Sequence, residues 1–184
     1  MQVAPDYLEF TLSNVKIFLS ILSILGVILV LPVVAGLFLP RDFKIVEQVE
    51  IAGAQDEIFP YINTLKQRKA WSPFQNPETQ NQFEGPESGV GAKMIFDGGV
   101  IEITESNPPE SVTYITHFDD GYPTSTSHFT FEEVAKDKTK VLWKFTGQVP
   151  DDFHRRFDIL SIEGETGAKH LKGLQKLKEA VEKK

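Results

Sequence analysis

The 184-residue sequence contains no cysteine. The chain therefore has neither disulfide bonds nor a zinc site built on thiolates, and it gives no indication of a redox compartment. Acidic residues outnumber basic ones. Of the 19 Lys and Arg in the chain, 18 lie from Arg41 onward, the exception being Lys16. Of the 26 Asp and Glu, 24 lie there, the exceptions being Asp6 and Glu9, so this part has a net charge of −6. An acidic domain repels phosphate backbones, so the composition predicts no nucleic-acid partner.

Charge is absent altogether from residues 17–39, which begin with Ile17 and end with Leu39. As a helix these 23 residues would span roughly 34 Å, against about 30 Å for a bilayer's hydrocarbon core. The apolar core of a signal peptide is usually only about 7 to 15 residues long, so the stretch predicts a single transmembrane helix. Lys16 precedes it and Arg41 and Lys44 follow it, which leaves the side of the membrane undecided.

This absence divides the chain in two. Residues 1–40 are predicted to form a tail and membrane anchor, and residues 41–184 are predicted to form one globular domain. The link between them is short, so the domain would begin within a few residues of the bilayer surface.

An apolar stripe runs along the end of the chain. Within residues 166–184, Leu171, Leu174, Leu177 and Val181 recur at helical spacing, and lysines occupy the other side. This pattern predicts an amphipathic helix whose apolar face must be buried against another element. The alternating segments before it offer that surface, which favours an α+β fold with a curved antiparallel sheet around a C-terminal helix.

Alternation of apolar and polar residues predicts the strands of this sheet. The first strand covers residues 43–52, and five more cover 92–97, 100–105, 112–118, 124–134 and 140–147, with Gly98-Gly99 as a hairpin turn. The large side chains that alternation places on the concave face are Met94, Phe96, Ile101, Ile103, Tyr114, Phe118, Phe129, Phe131, Trp143 and Phe145.

Residues 53–91 show weaker periodicity. An acidic first turn predicts a short helix that points Phe59 inward, with a kink or restart at Pro60. Beyond it, glycines and prolines predict an irregular crossing with one short helix and one short strand. Trp71 and Phe74 in this crossing either line the mouth of a pocket or pin the segment to the core.

Catalytic patterns are missing. The chain has four histidines, which are His117, His128, His154 and His170. Their spacing matches no metal site, and solvated histidine is the simpler interpretation. His117 and His128 would lie on neighbouring strands, where Glu102 or Glu105 would complete an acid/base group. However, alternation places His117 opposite the aromatic face. We therefore predict no catalytic residue, no metal site and no cofactor.

Several segments, taken in order, carry a family resemblance. They are IVEQVEIAGAQDEIFPYI, WSPF, EGPESGVGAKMIFDGG, IEITESNPPESVTYITHF, TKVLWKFTGQVP and KGLQKLKEAVE. Together they resemble the SRPBCC superfamily, also called START-like or Bet v 1-like, in its polyketide cyclase/dehydrase-type branch, over essentially residues 41–184. The resemblance implies a helix-grip fold: a seven-stranded antiparallel sheet, two short helices after the first strand, and a long C-terminal helix that closes a hydrophobic cavity. The transmembrane helix is an addition to this pattern.

Three functions remain open, because members of this superfamily bind lipids, sterols, polyketides and hormones, and a few catalyse reactions. The leading one is a membrane-anchored module that binds a hydrophobic or amphipathic small molecule, such as a lipid from the adjacent bilayer. The alternatives are a cyclase or dehydratase-type enzyme and an interaction domain whose cavity is filled by its own side chains. The oligomeric state is not indicated. The ligand-binding residues we predict are Phe59, Trp71, Phe74, Met94, Phe96, Ile101, Ile103, Tyr114, Phe118, Phe129, Trp143, Leu171 and Leu174.

Overall fold

An apolar helix occupies the N-terminal part of the chain. The computed structural model describes residues 5–74 and 80–183, and contacts divide the chain into two compact units, Met1–Leu39 and Pro40–Lys184. In the first unit, helix α1 spans Pro5–Phe38. Its portion Asn14–Phe38, with 25 residues and a mean hydropathy of 2.9, is long and apolar enough to cross a membrane. A signal sequence near the N-terminus can also be this long and apolar. Length and composition therefore make α1 a candidate membrane anchor and do not separate the two roles.

A curved antiparallel sheet is the framework of the second unit. Within the described residues its seven strands lie in the spatial order β1-β7-β6-β5-β4-β3-β2. The strands are β1 Asp42–Ala52, β2 Gln82–Glu84, β3 Lys93–Phe96, β4 Gly99–Asn107, β5 Ser111–Phe118, β6 Ser125–Ala135 and β7 Lys138–Gln148. Irregularities in register interrupt β4 after Ile103 and β6 after Glu133, and such bulges bend a strand and increase its twist. The predicted α+β, helix-grip fold is confirmed.

The turn between β3 and β4 lies one residue earlier than predicted. Phe96 pairs with Gly99, so Asp97 and Gly98 form the two-residue loop. Gly99 has a φ of +154°, and a Cβ at this position would lie 2.1 Å from the carbonyl oxygen of His117. Only glycine permits this approach of β4 to β5, which explains why a second glycine follows the one in the turn.

Two short helices and a 3₁₀ turn follow β1. Helix α2 spans Gln55–Asn63, the 3₁₀ turn spans Leu65–Gln67, and helix α3 spans Arg68–Trp71. Of the kink or restart expected at Pro60, the restart is wrong, because α2 continues to Asn63. A proline inside a helix removes one backbone hydrogen bond. Because α2 ends three residues after Pro60, little of the helix follows the proline and the helix continues through it.

Helix α4 spans Ile159–Glu182, so it begins before the predicted residue 166, directly after a 3₁₀ turn at Arg155–Asp158. Leu174, Leu177 and Val181 are buried, as the apolar stripe predicted. The placement of Leu171 on that stripe was wrong: its side chain is 37% exposed, and His170 is buried instead. Residues 170, 174, 177 and 181 follow the i, i+4, i+7, i+11 spacing of one helical face. Residue 171 is rotated about 100° around the helix axis from residue 170, which places it outside that face.

The hydrophobic core fills one half of the concave face, where α2 and α3 cover the sheet. All ten side chains predicted on that face are buried or half-buried. Those that belong to the packed core include Met94, Ile101, Ile103, Tyr114, Phe129, Phe131 and Trp143, together with Ile51, Ile58, Ile62 and Leu65 from β1, α2 and the 3₁₀ turn. The other half of the face is only partly filled.

Candidate functional site

A cavity of about 530 Å³ lies in that unfilled half, between the sheet and α4. This volume is within the range of small-molecule sites, which is about 300–1,000 Å³. Aromatic rings make up much of its wall: Phe43, Phe74, Phe96, Phe118, Tyr122, Trp143, Phe145 and His170. Aliphatic side chains complete the apolar lining: Met94, Ile101, Pro123 and Ile162.

Six of the predicted ligand-binding residues line this cavity. They are Phe74, Met94, Phe96, Ile101, Phe118 and Trp143. Five of them lie on strands, where alternation determines the face that a side chain occupies. Phe74 comes from the irregular crossing after α3 and is half exposed at the rim. The structure therefore supports the pocket-mouth interpretation for Phe74.

The other predicted residues do not line the cavity. The ring of Trp71 is fully buried between those of Phe129 and Trp143, with centroid distances of 5.9 Å and 5.7 Å, and its Nε1 donates to the carbonyl oxygen of Tyr61 at 2.9 Å. Trp71 thus pins its segment to the core, the second of the two interpretations. The remaining residues that lie outside the cavity are Phe59, Ile103, Tyr114, Phe129, Leu171 and Leu174.

The reason is the same for most of them: α2 and α3 occupy the half of the concave face to which these side chains point. Phe59 packs on Phe131 with a centroid distance of 5.5 Å, and the Tyr114 hydroxyl donates to the carbonyl oxygen of Ile62. Leu174 is fully buried below this layer. Strand alternation identifies the inner face, but it does not show which part of that face other elements fill.

Arg68 is a cavity residue that the sequence did not reveal. It is 4% exposed, and its guanidinium lies over the rings of Trp71 and Tyr114, at 5.1 Å and 5.3 Å from their centroids. Its Nη2 donates a long hydrogen bond, 3.4 Å, to the Ser72 hydroxyl. Burial lowers the pKa of Arg68, although arginine stays charged in proteins. In the sequence, Arg68 precedes Lys69 in a segment without apolar periodicity. Two adjacent basic residues in such a segment predict solvent-exposed side chains.

His170 is the second unexpected cavity residue. The interpretation of all four histidines as solvated was wrong for this one, since only 1% of it is exposed. Its ring stacks on Trp143 at a centroid distance of 3.8 Å and meets Phe145 edge-on at 4.9 Å. Burial, followed by the positive charge of Arg68, lowers the pKa of His170 to about 3. The imidazole is therefore neutral at neutral pH.

Unpaired polar atoms are concentrated around the cavity. Within the described residues, the buried side-chain nitrogen and oxygen atoms without a hydrogen-bond partner are Nε and Nη1 of Arg68, Oγ of Ser125, Nε1 of Trp143 and Nδ1 of His170. All four side chains line the cavity. Native proteins pair the large majority of buried polar atoms, so this concentration distinguishes the cavity from the rest of the described residues.

The acid/base group considered from the sequence does not form at the cavity. His117 is exposed and pairs with Val100, so it does not face His128. Instead, the Thr113 hydroxyl connects Nδ1 of His128 and Oε2 of Glu105, at 2.9 Å from each, on the opposite face of the sheet. Among the residues that the structure describes, no three His, Asp or Glu side chains converge as metal ligands.

No family model and no curated protein matches the chain. Solved structures match it in fold. CalU16 from Micromonospora echinospora has a TM-score of 0.55 at 14% identity, over 75% of this chain and 73% of its own. The Aha1 dimer protein from Colwellia psychrerythraea has a TM-score of 0.56 at 18% identity, over 76% of this chain and 96% of its own.

A third solved structure is DynU16, a protein of the dynemicin biosynthetic locus. Its TM-score is 0.54 at 16% identity, over 76% of this chain and 47% of its own. The chain shares its fold with these three proteins. At these identities the likeness concerns the fold alone, and function must be argued from the cavity.

Proposed function

We propose that this protein binds a hydrophobic or amphipathic small molecule in the cavity between the sheet and α4, while α1 anchors it in a membrane. The observation that carries the binding proposal is the cavity itself, which has aromatic walls and a small number of unpaired polar atoms. That combination is typical of small-molecule sites, where apolar contact provides area and a few polar groups fix orientation. The unfilled volume also argues against the alternative of a cavity filled by the protein's own side chains.

The enzyme alternative has less support. The carboxylates that line the cavity, Asp97 and Asp120, are exposed at its rim, and the neutral imidazole of His170 has no carboxylate partner among the described side chains. A general acid or base needs a pKa near the working pH and a partner that orients it. Binding without turnover is therefore the function that these residues support best.

The anchor proposal rests on α1 and on the short link after it. Helix α1 ends at Phe38 and β1 begins at Asp42, so only three residues separate them. A link of this length would hold the binding domain at the bilayer surface, within reach of lipids. We expect the protein to stay in the membrane pellet after carbonate extraction and to retain Met1 or its first residues. Release by carbonate would instead indicate a peripheral protein, and a mature N-terminus after residue 39 would identify a cleaved signal sequence.

Binding is tested by identifying what the protein retains. The full-length chain is purified from membranes in mild detergent and extracted with organic solvent, and the extract is analysed by mass spectrometry. We expect one class of hydrophobic molecule to be enriched over the bulk lipid. Both tryptophans lie at or beside the cavity, so adding that molecule back should change the tryptophan emission.

A matched pair of variants makes this test specific. Ser127→Leu adds a side chain inside the cavity, whereas Thr126→Leu makes the same kind of change on the other face of β6. We expect Ser127→Leu to lose the retained molecule and Thr126→Leu to keep it, with both variants folded by circular dichroism. If wild type retains nothing, and fatty acids, phospholipids and isoprenoids leave its emission unchanged, the binding proposal fails.

The proposed division at residue 40 has its own test. We expect residues 41–184 alone to be soluble and folded, because the sheet and α4 bury each other's apolar faces. Circular dichroism and size-exclusion chromatography would check this. Aggregation of the fragment under every mild condition would show that the division is misplaced.

A further inference from the structure

The guanidinium of Arg68 is a buried charge that forms no ion pair with any side chain in the described part of the chain. Within the described residues it makes no ion pair with a carboxylate, and its Nε and Nη1 have no hydrogen-bond partner. The rings of Trp71 and Tyr114 lie against the guanidinium at 5.1 Å and 5.3 Å, and such stacking stabilises the cation. Stacking uses the flat face of the guanidinium, so the N–H groups on its edges stay available for an acceptor.

Among the described residues that line the cavity, Arg68 is also the one cation. His170 is neutral at neutral pH, because burial and the charge of Arg68 lower its pKa to about 3. The two described carboxylates of the lining, Asp97 and Asp120, are exposed to solvent at the rim. The described side chains of the cavity interior therefore carry a single positive charge.

The unpaired atoms around the cavity are mostly hydrogen-bond donors. The unpaired nitrogen atoms of Arg68 and Trp143 belong to guanidinium and indole N–H groups, which can only donate hydrogen bonds. The hydroxyl of Ser125 can donate as well as accept. A molecule that satisfies these groups must bring acceptor oxygens, and one that neutralises the cavity must bring a single negative charge.

We propose that Arg68 binds the carboxylate of an amphipathic ligand, whose apolar body packs against the aromatic wall of the cavity. This inference rests on the proposed binding function and specifies the ligand's polar group. A carboxylate carries one negative charge, which matches the one positive charge of the interior. A phosphate monoester would bring a second charge that the cavity does not neutralise, and burying an unpaired charge is costly.

The test compares three ligands with the same alkyl chain and different polar groups: palmitic acid, hexadecanol and hexadecyl phosphate. The full-length protein is held in phosphatidylcholine nanodiscs, and tryptophan emission is followed as each ligand is titrated. Wild type, Arg68→Met, Arg68→Lys and Lys69→Met are measured. Lys69 is the adjacent exposed cation, so Lys69→Met controls for loss of a positive charge outside the cavity.

We expect wild type to bind palmitic acid about tenfold to a hundredfold more tightly than hexadecanol, as charged hydrogen bonds usually contribute. Arg68→Met should lose this preference while its affinity for hexadecanol is kept. Arg68→Lys should keep part of the preference, and Lys69→Met should keep all of it. The affinities of wild type for palmitic acid and hexadecanol can be compared without any variant. This comparison therefore tests the proposal even if Arg68→Met does not fold.

Equal affinity of wild type for the acid and the alcohol would overturn the role of Arg68 and leave the binding function intact. Tighter binding of hexadecyl phosphate than of palmitic acid would overturn the carboxylate in favour of a phosphate. If none of the three ligands binds, and nothing is retained on purification, the binding function itself fails and the inference fails with it.

Discussion

Acid should destabilise this protein through His170. In the folded chain the imidazole is 1% exposed and stacks on Trp143, and burial with the nearby charge of Arg68 lowers its pKa from 6.5 to about 3. In the unfolded chain the imidazole takes up a proton near pH 6.5. Between these two pKa values the unfolded state binds more protons than the folded state, so the free energy of unfolding falls as the pH falls.

The structure gives the expected size of this effect. A shift of this extent corresponds to about 5 kcal/mol at most, all of it lost once the pH is below about 3. Between about pH 7.5 and pH 5 the loss should be about 2 kcal/mol, since the unfolded chain is by then mostly protonated at this residue. Domains are typically stable by about 5–15 kcal/mol, so the change is large enough to measure.

Urea unfolding of the full-length chain in non-ionic detergent, followed by tryptophan emission, measures it. His170→Gln removes the titration and keeps a neutral polar side chain of similar size. We expect wild type to lose about 2 kcal/mol more than His170→Gln between about pH 7.5 and pH 5, because all other groups titrate alike in both. His154→Gln, a change at an exposed histidine, should behave as wild type does. The same pH dependence in wild type and His170→Gln would refute a buried, neutral His170.

Two further predictions concern the packing of α4. Leu174→Asp buries a charge and should unfold the domain, at a cost above about 4 kcal/mol, whereas Lys176→Asp on the exposed face should change stability by less than about 0.5 kcal/mol. Equal losses would contradict the assignment of the buried face. Gly173→Ala should destabilise by about 1–3 kcal/mol, because its Cβ would lie 2.8 Å from Cδ of Pro73. Gly164→Ala meets no atom within 4 Å and should stabilise by about 0.5–1 kcal/mol, and thermal unfolding checks both signs.

The sequence predicted the sheet well because its information is local. Strand alternation depends on neighbouring residues, so the concave set from Met94 to Phe145 could be assigned without knowing the rest of the fold. The C-terminal helix could also be predicted, but its buried face was displaced at one position. Leu171 was chosen over His170 because it is apolar, although rotation by one residue decides the face. A histidine inside an apolar stripe is invisible to a rule that searches for hydrophobic residues.

The cavity depends on long-range packing, which is why the sequence predicted only part of its lining. Tyr114 and Phe129 point to the same concave face as Trp143, yet they are covered by α2 and α3, and Trp71 of α3 packs on the ring of Phe129. No local pattern shows which half of a face another element fills. Arg68 shows the same limit: the rings of Trp71 and Tyr114 pack against its guanidinium, whereas its neighbours in sequence suggest an exposed side chain.

The placement of unpaired polar atoms is the strongest general argument that the cavity has a function. Each buried polar group left without a partner costs about 1–3 kcal/mol, so the unpaired groups of Arg68, Ser125, Trp143 and His170 destabilise the fold while the cavity is empty. Within the described residues, all of these unpaired atoms belong to side chains that line one cavity. A ligand that supplies acceptors would offset these costs, and by mass action it would raise stability in proportion to the logarithm of its concentration. The protein should therefore be at its least stable when the cavity is empty.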